Sequence, residues 1–294
     1  METHNAQNAD TTTRNESEPE FSNDRLSFIS HPSSLIPSFR PLYLIAKTIF
    51  TEALRRKEIY SIVLLTVILL GWGASFRFFD ISGLHKFYQE IALKVMSIST
   101  MITVIVLASR QLPREFESRT IYTVLAKPIS RTAFLFGKFI GVVSAGCFCF
   151  GLFMVVFLAS NLIMHFPLQW KTFSQYVYLQ FLVIVLVASL AFALSLLCNQ
   201  DAAITITSLI FLLGQVFTST ITIIYDYVSP VGQAVLKFIN YAVPQVSLYD
   251  LSAKVVHAWP PISIRVIFML TCYTAVFTAA YLSVSFMLFR RRSL

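Results

Sequence analysis

The chain has 294 residues, of which 56% are hydrophobic and only 13% charged, with a net charge of +8. Its mean hydropathy is +0.68, whereas soluble domains carry about 25% charged residues. A water-soluble globule is therefore excluded, and a polytopic membrane protein is expected because a bilayer can cover that much apolar surface.

The positive charge does not signal nucleic acid. Basic residues gather at the ends of apolar runs, as the positive-inside rule requires, and form no stripe interleaved with aromatics. Cys147, Cys149, Cys198 and Cys272 all fall inside apolar runs, so they read as packing residues rather than a disulfide framework or a metal site.

Residues 1–36 are rich in Asn, Thr, Ser and Glu. They have too little apolar surface to order themselves, so a disordered cytoplasmic tail is expected. No apolar segment of signal-peptide type occurs in them. The remainder, 37–294, is expected to form one transmembrane domain.

In residues 41–58, PLYLIAKTIFTEALRRKE, apolar Leu42, Leu44, Ile45, Ile49, Phe50 and Leu54 recur at near-helical spacing, with Lys47, Arg55, Arg56 and Lys57 between them. That pattern fits a helix lying in the membrane interface; the alternative is the start of the first span.

Six apolar stretches near the ~20 residues a bilayer needs follow, at 60–76, 91–109, 139–164, 178–198, 202–225 and 266–289. The fold class is thus all-α and polytopic, with six transmembrane helices. The tail and interfacial helix carry seven Lys and Arg, the 110–138 segment six and the C-terminal FRRRSL three, against seven on the other side. Both termini are therefore expected in the cytoplasm. Between the last two spans, residues 226–263 hold apolar pieces too short to cross, such as VGQAVLKFINYAV after Ser229-Pro230. They read as re-entrant or interfacial helices on the outer face, with Ser229 as an N-cap.

The loop at 110–132 concentrates charge. Pro113 opens it, and Glu115 and Glu117 stand where a helix dipole favours them. Pro128 ends the helix by pushing Lys127 out of the α region. A short rigid helix held between two spans suits docking to a cytoplasmic partner; the alternative is a topological anchor. Gly137, Gly141 and Ala145 repeat every four residues as the third span begins, which lets another helix approach closely. Whether that helix belongs to this chain or to a second copy is open at this level.

EFESRTIYTVLAKPISRTAFLFGKFIG at 115–141 resembles the loop of ABC transporter permeases of the type-2 exporter class. The match falls on Glu115, Glu117, Arg119, Thr120, Lys127, Pro128, Ser130, Arg131, Gly137 and Lys138. The resemblance takes in the interfacial helix, YAVPQVSLYDLSAKVVHAWPPIS at 241–263 and the basic C-terminus, with Gln245 after Pro244 where some relatives carry asparagine. Within the class it is nearest the permeases for multicopper-enzyme (nitrous-oxide-reductase) maturation.

The resemblance implies a permease homodimer in the bacterial inner membrane. It also implies a coupling helix, with Glu115, Glu117, Arg119, Thr120, Lys127, Pro128 and Arg131 facing a separate ATP-binding subunit. ATP and magnesium would belong to that subunit, since this chain has no G-x-x-x-x-G-K-[ST]. The alternative function is a non-transporting scaffold for maturation of an exported metalloenzyme.

No catalytic, cofactor or metal residue is expected in the chain itself. His85, His165 and His257 differ in context and read as loop histidines, and Lys94 and Arg265 as side chains that snorkel to the interface. No Asp, Glu or His stands at mid-depth, which argues against a proton relay or an intramembrane enzyme. Thr205, Thr207, Thr218 and Thr220 could line a polar seam, but more often such residues bond back to their own helix.

Overall fold

The computed structural model describes residues 39–55, 84–113, 131–224 and 244–291, with Tyr60, Leu64, Val67, Ile68, Gly71, Ser229, 231–233 and Lys237 besides. Among these residues there is no strand. Helix α1 spans Phe39–Leu54, α2 Leu84–Gln111, α3 Arg131–Met164, α4 Trp170–Leu197 and α5 Gln200–Ile224. A 3-10 turn at Val246–Tyr249 and a short helix, α6, at Ser252–Val256 precede α7 at Ile264–Arg291.

Among the described residues, four helices are long and apolar enough to cross a membrane: 85–111, 132–164, 170–197 and 264–290. Of the first expected span, only five residues are described, Tyr60, Leu64, Val67, Ile68 and Gly71, each helical.

Helix α4 is central. It packs against α2, α3, α5 and α7, and 83% of its most apolar window is buried, against 11% for α7 at the rim. Lipid is as apolar as leucine, so close packing and a few polar ties must hold such helices together. Phe157, Phe173 and Tyr176 stack in sequence between α3 and α4, at centroid distances of 5.9 and 6.4 Å. The Tyr176 hydroxyl then donates to the Leu93 carbonyl of α2 at 3.0 Å. Gly146 lets α3 approach its neighbours, because a Cβ there would lie 2.5 Å from Val104 Cγ2 on α2 and 3.1 Å from Ile184 Cγ2 on α4.

At the end of the bundle where α3 turns into α4, the polar groups satisfy one another. Gln89 Nε2 donates to Asn161 Oδ1 at 2.6 Å and to the Pro167 carbonyl at 3.3 Å, while Asn161 Nδ2 donates to the Phe157 carbonyl. Helix α3 stops there in a Schellman turn: the Phe166 N–H returns to the Asn161 carbonyl and the His165 N–H to the Leu162 carbonyl. His165 takes the left-handed conformation, φ 56°, that glycine usually supplies. Cys198 and Asn199 alone separate α4 from α5, which makes the two an antiparallel pair.

Candidate functional site

At the loop end of the bundle, α2 and α3 are the two helices the charged loop joins. Their contact centres on Lys138, whose side chain is 2% exposed. Burying an ammonium costs several kcal/mol unless it is paired. Here Nζ donates to the Gln111 carbonyl, the last residue of α2, at 3.0 Å. That carbonyl lies at the negative end of the α2 dipole, where a cation is favoured. The ammonium also stands 5.0 Å from the centre of the Phe134 ring, an attractive position over an aromatic face. Phe134 in turn stacks on Phe289 of α7 at 6.2 Å. One connected set thus ties the end of α2 to the start of α3 and the end of α7.

Helix α1 lies against the same part of α3. Gly141 makes the approach possible: a Cβ there would fall 2.8 Å from Ile49 Cβ and 3.1 Å from the Ala46 carbonyl oxygen. Ile49 is 4% exposed, and Phe50 packs edge-on against Phe148 at 5.4 Å. The small-residue repeat therefore meets the chain's own α1 at Gly141. Gly137 and Ala145 are buried on α3 as well.

Arg131 is the first residue of α3. Glu115, Glu117, Arg119, Thr120, Lys127 and Pro128 lie outside the described residues, and with them the expected coupling helix. The helices run into the 110–132 segment from both sides, since Arg110 and Gln111 belong to α2 and Arg131 and Thr132 to α3.

The opposite end is organised by residues 244–263. Pro244 is buried beside Gly214 of α5, where a Cβ would come within 3.1 Å of the Pro244 carbonyl oxygen. The Tyr249 hydroxyl bonds to Thr274 Oγ1 at 2.7 Å on α7; burial pushes this phenol up to about 12, against the lowering effect of its Thr274 bond. Asp250 Oδ1 accepts the Ser252 N–H at 2.9 Å and the Ser252 hydroxyl, which starts α6. Gln175 of α4 pairs with both backbone groups of Ile262, at 3.0 and 2.9 Å, as a neighbouring strand would. Of the expected short outer helix, Val231–Gln233 and Lys237 are described and helical. Ser229 Oγ accepts the Gly232 N–H at 3.4 Å, the bond an N-cap makes.

Between α2, α4, α5 and this segment is a chamber of about 510 Å³, lined by Lys94, Ser97, Gln180, Gln215, Tyr249 and Asp250 among others. Lys94 pairs with Glu90 at 3.2 Å, and His257 lies 3.9 Å from the same carboxylate. His165 is 3.2 Å from the Ile163 carbonyl, and the His85 ring tilts against Phe166. Arg265 is exposed near the start of α7. Among the described residues no three His, Cys, Asp or Glu side chains come together as a metal would require. Thr205 and Thr207 bond back to the carbonyls of Asp201 and Ala203.

Sequence reading misses two features here. It treats Lys138 as one more loop charge, although it is buried about two turns inside α3; the signal was its place directly before the apolar run at 139–164. It also passes over the glutamines, whose presence in otherwise apolar helices marks them.

The family model for "ABC-2 family transporter protein" matches residues 6–294. No curated protein matches the chain. With that match across nearly the whole sequence, and long apolar helices of the kind a permease needs, the chain belongs to the ABC-2 family of transporter proteins, the membrane components of ATP-binding-cassette systems.

Proposed function

We propose that this permease is the membrane subunit of an exporter in the bacterial cytoplasmic membrane, working as a homodimer with a separate ATP-binding subunit on each copy. The family match over residues 6–294 carries the reading. The excess of Lys and Arg at 1–57, 110–138 and 290–292 supports cytoplasmic placement of both termini and of the charged loop. A two-fold dimer is the commonest closed assembly. In this reading the 110–132 loop docks in the ATPase, with Glu115, Glu117, Arg119, Thr120, Lys127, Pro128 and Arg131 as its contacts. Movement of the ATPase would then pass to α2 and α3 together through Lys138 and the Gln111 carbonyl, since these fix the two helix ends to each other.

The test is a pull-down of the tagged permease from native membranes in mild detergent. A P-loop ATPase at one copy per permease, lost when Thr120–Ala126 is replaced by a Gly-Ser stretch, is the expected result. Glu117→Ala with Arg119→Ala should insert normally yet abolish cargo-stimulated ATP hydrolysis. If no ATPase appears, or if the bound one ignores that loop, the segment is a topological anchor and the coupling role is wrong.

A further inference from the structure

The chamber between α2, α4, α5 and the 246–250 turn is a polar site at one level of the membrane. Counting from the loop ends of their helices at 1.5 Å per residue, Lys94, Gln180 and Gln215 all stand about 22 to 26 Å up. That is the outer part of a hydrocarbon layer about 30 Å thick. Gln180 and Gln215 present their side-chain amides to the chamber at that level.

Gln180 is 3% exposed. Its Oε1 accepts the Ser97 hydroxyl at 3.0 Å, but its Nε2 has no acceptor among the described residues. Gln215 likewise has no side-chain partner among them. Asp250 commits Oδ1 to Ser252, and its second carboxylate oxygen has no partner among the described residues. Ile98, Val183, Leu212 and Val246 complete the wall. The volume of about 510 Å³ falls within the roughly 300–1,000 Å³ of small-molecule sites, in which a few polar groups orient a ligand held mainly by apolar walls.

The charges choose the ligand. Lys94 is already paired with Glu90, so the chamber does not attract a simple anion strongly. Asp250 is the carboxylate left to recognise a cation, and the Gln180 amide and the Lys94 ammonium offer donors to oxygen acceptors. We propose that the chamber binds the headgroup of a zwitterionic amphiphile, with its amine on Asp250 and its acceptor oxygens on Gln180 and Lys94. The apolar wall takes the first part of the tail. This deepens the exporter reading by naming the chemistry of its cargo, and rests on that reading for calling the ligand cargo and for placing the chamber toward the outer face.

The same headgroup chemistry could come from a lipid or from a water-soluble phosphoamine. Binding is therefore measured on the full-length permease alone in maltoside detergent, as the rise in thermal unfolding midpoint with added ligand. The probes are short-chain phosphatidylethanolamine, phosphatidylglycerol with the same tails, and O-phosphoethanolamine. A saturable rise with the ethanolamine lipid and none with the glycerol lipid is expected. Asp250→Asn keeps an oxygen for Ser252, and Gln180→Leu keeps the volume; each should weaken binding by about tenfold, the worth of one charge-assisted or buried hydrogen bond.

Equal effects of the two lipids, or unchanged affinity in Asp250→Asn, would overturn the proposal. Equal binding of O-phosphoethanolamine would keep the site and assign its ligand to solution. No ATPase takes part, so failure here leaves the pull-down result standing, and loss of ATPase association leaves this result standing.

Discussion

Three residues carry measurable consequences. Lys138 is buried against Phe134 and the end of α2. Truncation and neutralisation there should differ, because a buried charge contributes little net stability once its desolvation is counted. Lys138→Ala opens a cavity and orphans the Gln111 carbonyl, at about 2–4 kcal/mol. Lys138→Met also removes that donor, but it keeps the stem and sheds the desolvation cost of the ammonium, so it should stay within about 1 kcal/mol of the parent. Thermal unfolding in detergent reads both, and the reverse order would show that charge rather than packing holds the junction. His165 at φ 56° stands where glycine is unstrained, so His165→Gly should raise stability by about 0.5–1 kcal/mol, read from the same unfolding midpoint. Tyr249 is a pH-dependent group. Its phenol titrates near 10 when unfolded and at about 12 when folded, so the folded protein holds its proton longer. The stability this gives is complete below pH about 10 and disappears as pH rises through about 12. Subtracting the Tyr249→Phe curve from the parent curve over that window isolates it; parallel curves would refute the assignment.

At the scale of elements, the helices overrun the apolar runs that announce them. Helix α3 has 34 residues, about 51 Å at 1.5 Å each, against a hydrocarbon layer of about 30 Å. An apolar run marks where lipid touches the helix, while the backbone ladder continues into the interface, so Arg131 and Thr132 are helical although the sequence reads as loop. The four-residue spacing of Gly137, Gly141 and Ala145 was legible as a contact face, but spacing alone cannot name the partner. Only the fold shows Ile49 against Gly141. A methyl group there should cost about 1–3 kcal/mol by overpacking, and Ile49→Ala alone a similar amount by leaving space. The double variant, Gly141→Ala with Ile49→Ala, should lose clearly less than the sum. Strict additivity in thermal unfolding would mean that the two side chains do not share this space.

For the whole molecule, composition was enough to give the membrane class, and the distribution of Lys and Arg gives a topology that labelling can check. Cysteines replacing Pro260 and Ser293, one at a time, should react with an impermeant maleimide from opposite sides. Pro260→Cys is expected to react in intact cells and Ser293→Cys only in inverted vesicles; the opposite pattern would reverse the orientation. The polar chamber was not legible in the sequence. Lys94, Gln180 and Gln215 come level only because α2 and α4 run one way and α5 the other, with a particular axial offset that no single run of residues encodes. The seat of α1 on Gly141 has a consequence in time. Ile49 leaves the ribosome some ninety residues ahead of Gly141, an interval of about 5 to 20 s at roughly 5–20 residues per second. During that wait the apolar stripe of α1 has no protein to cover it. Nascent chains ending before residue 141 must rest it on lipid or on a chaperone, and those that stall there are natural substrates for membrane quality control.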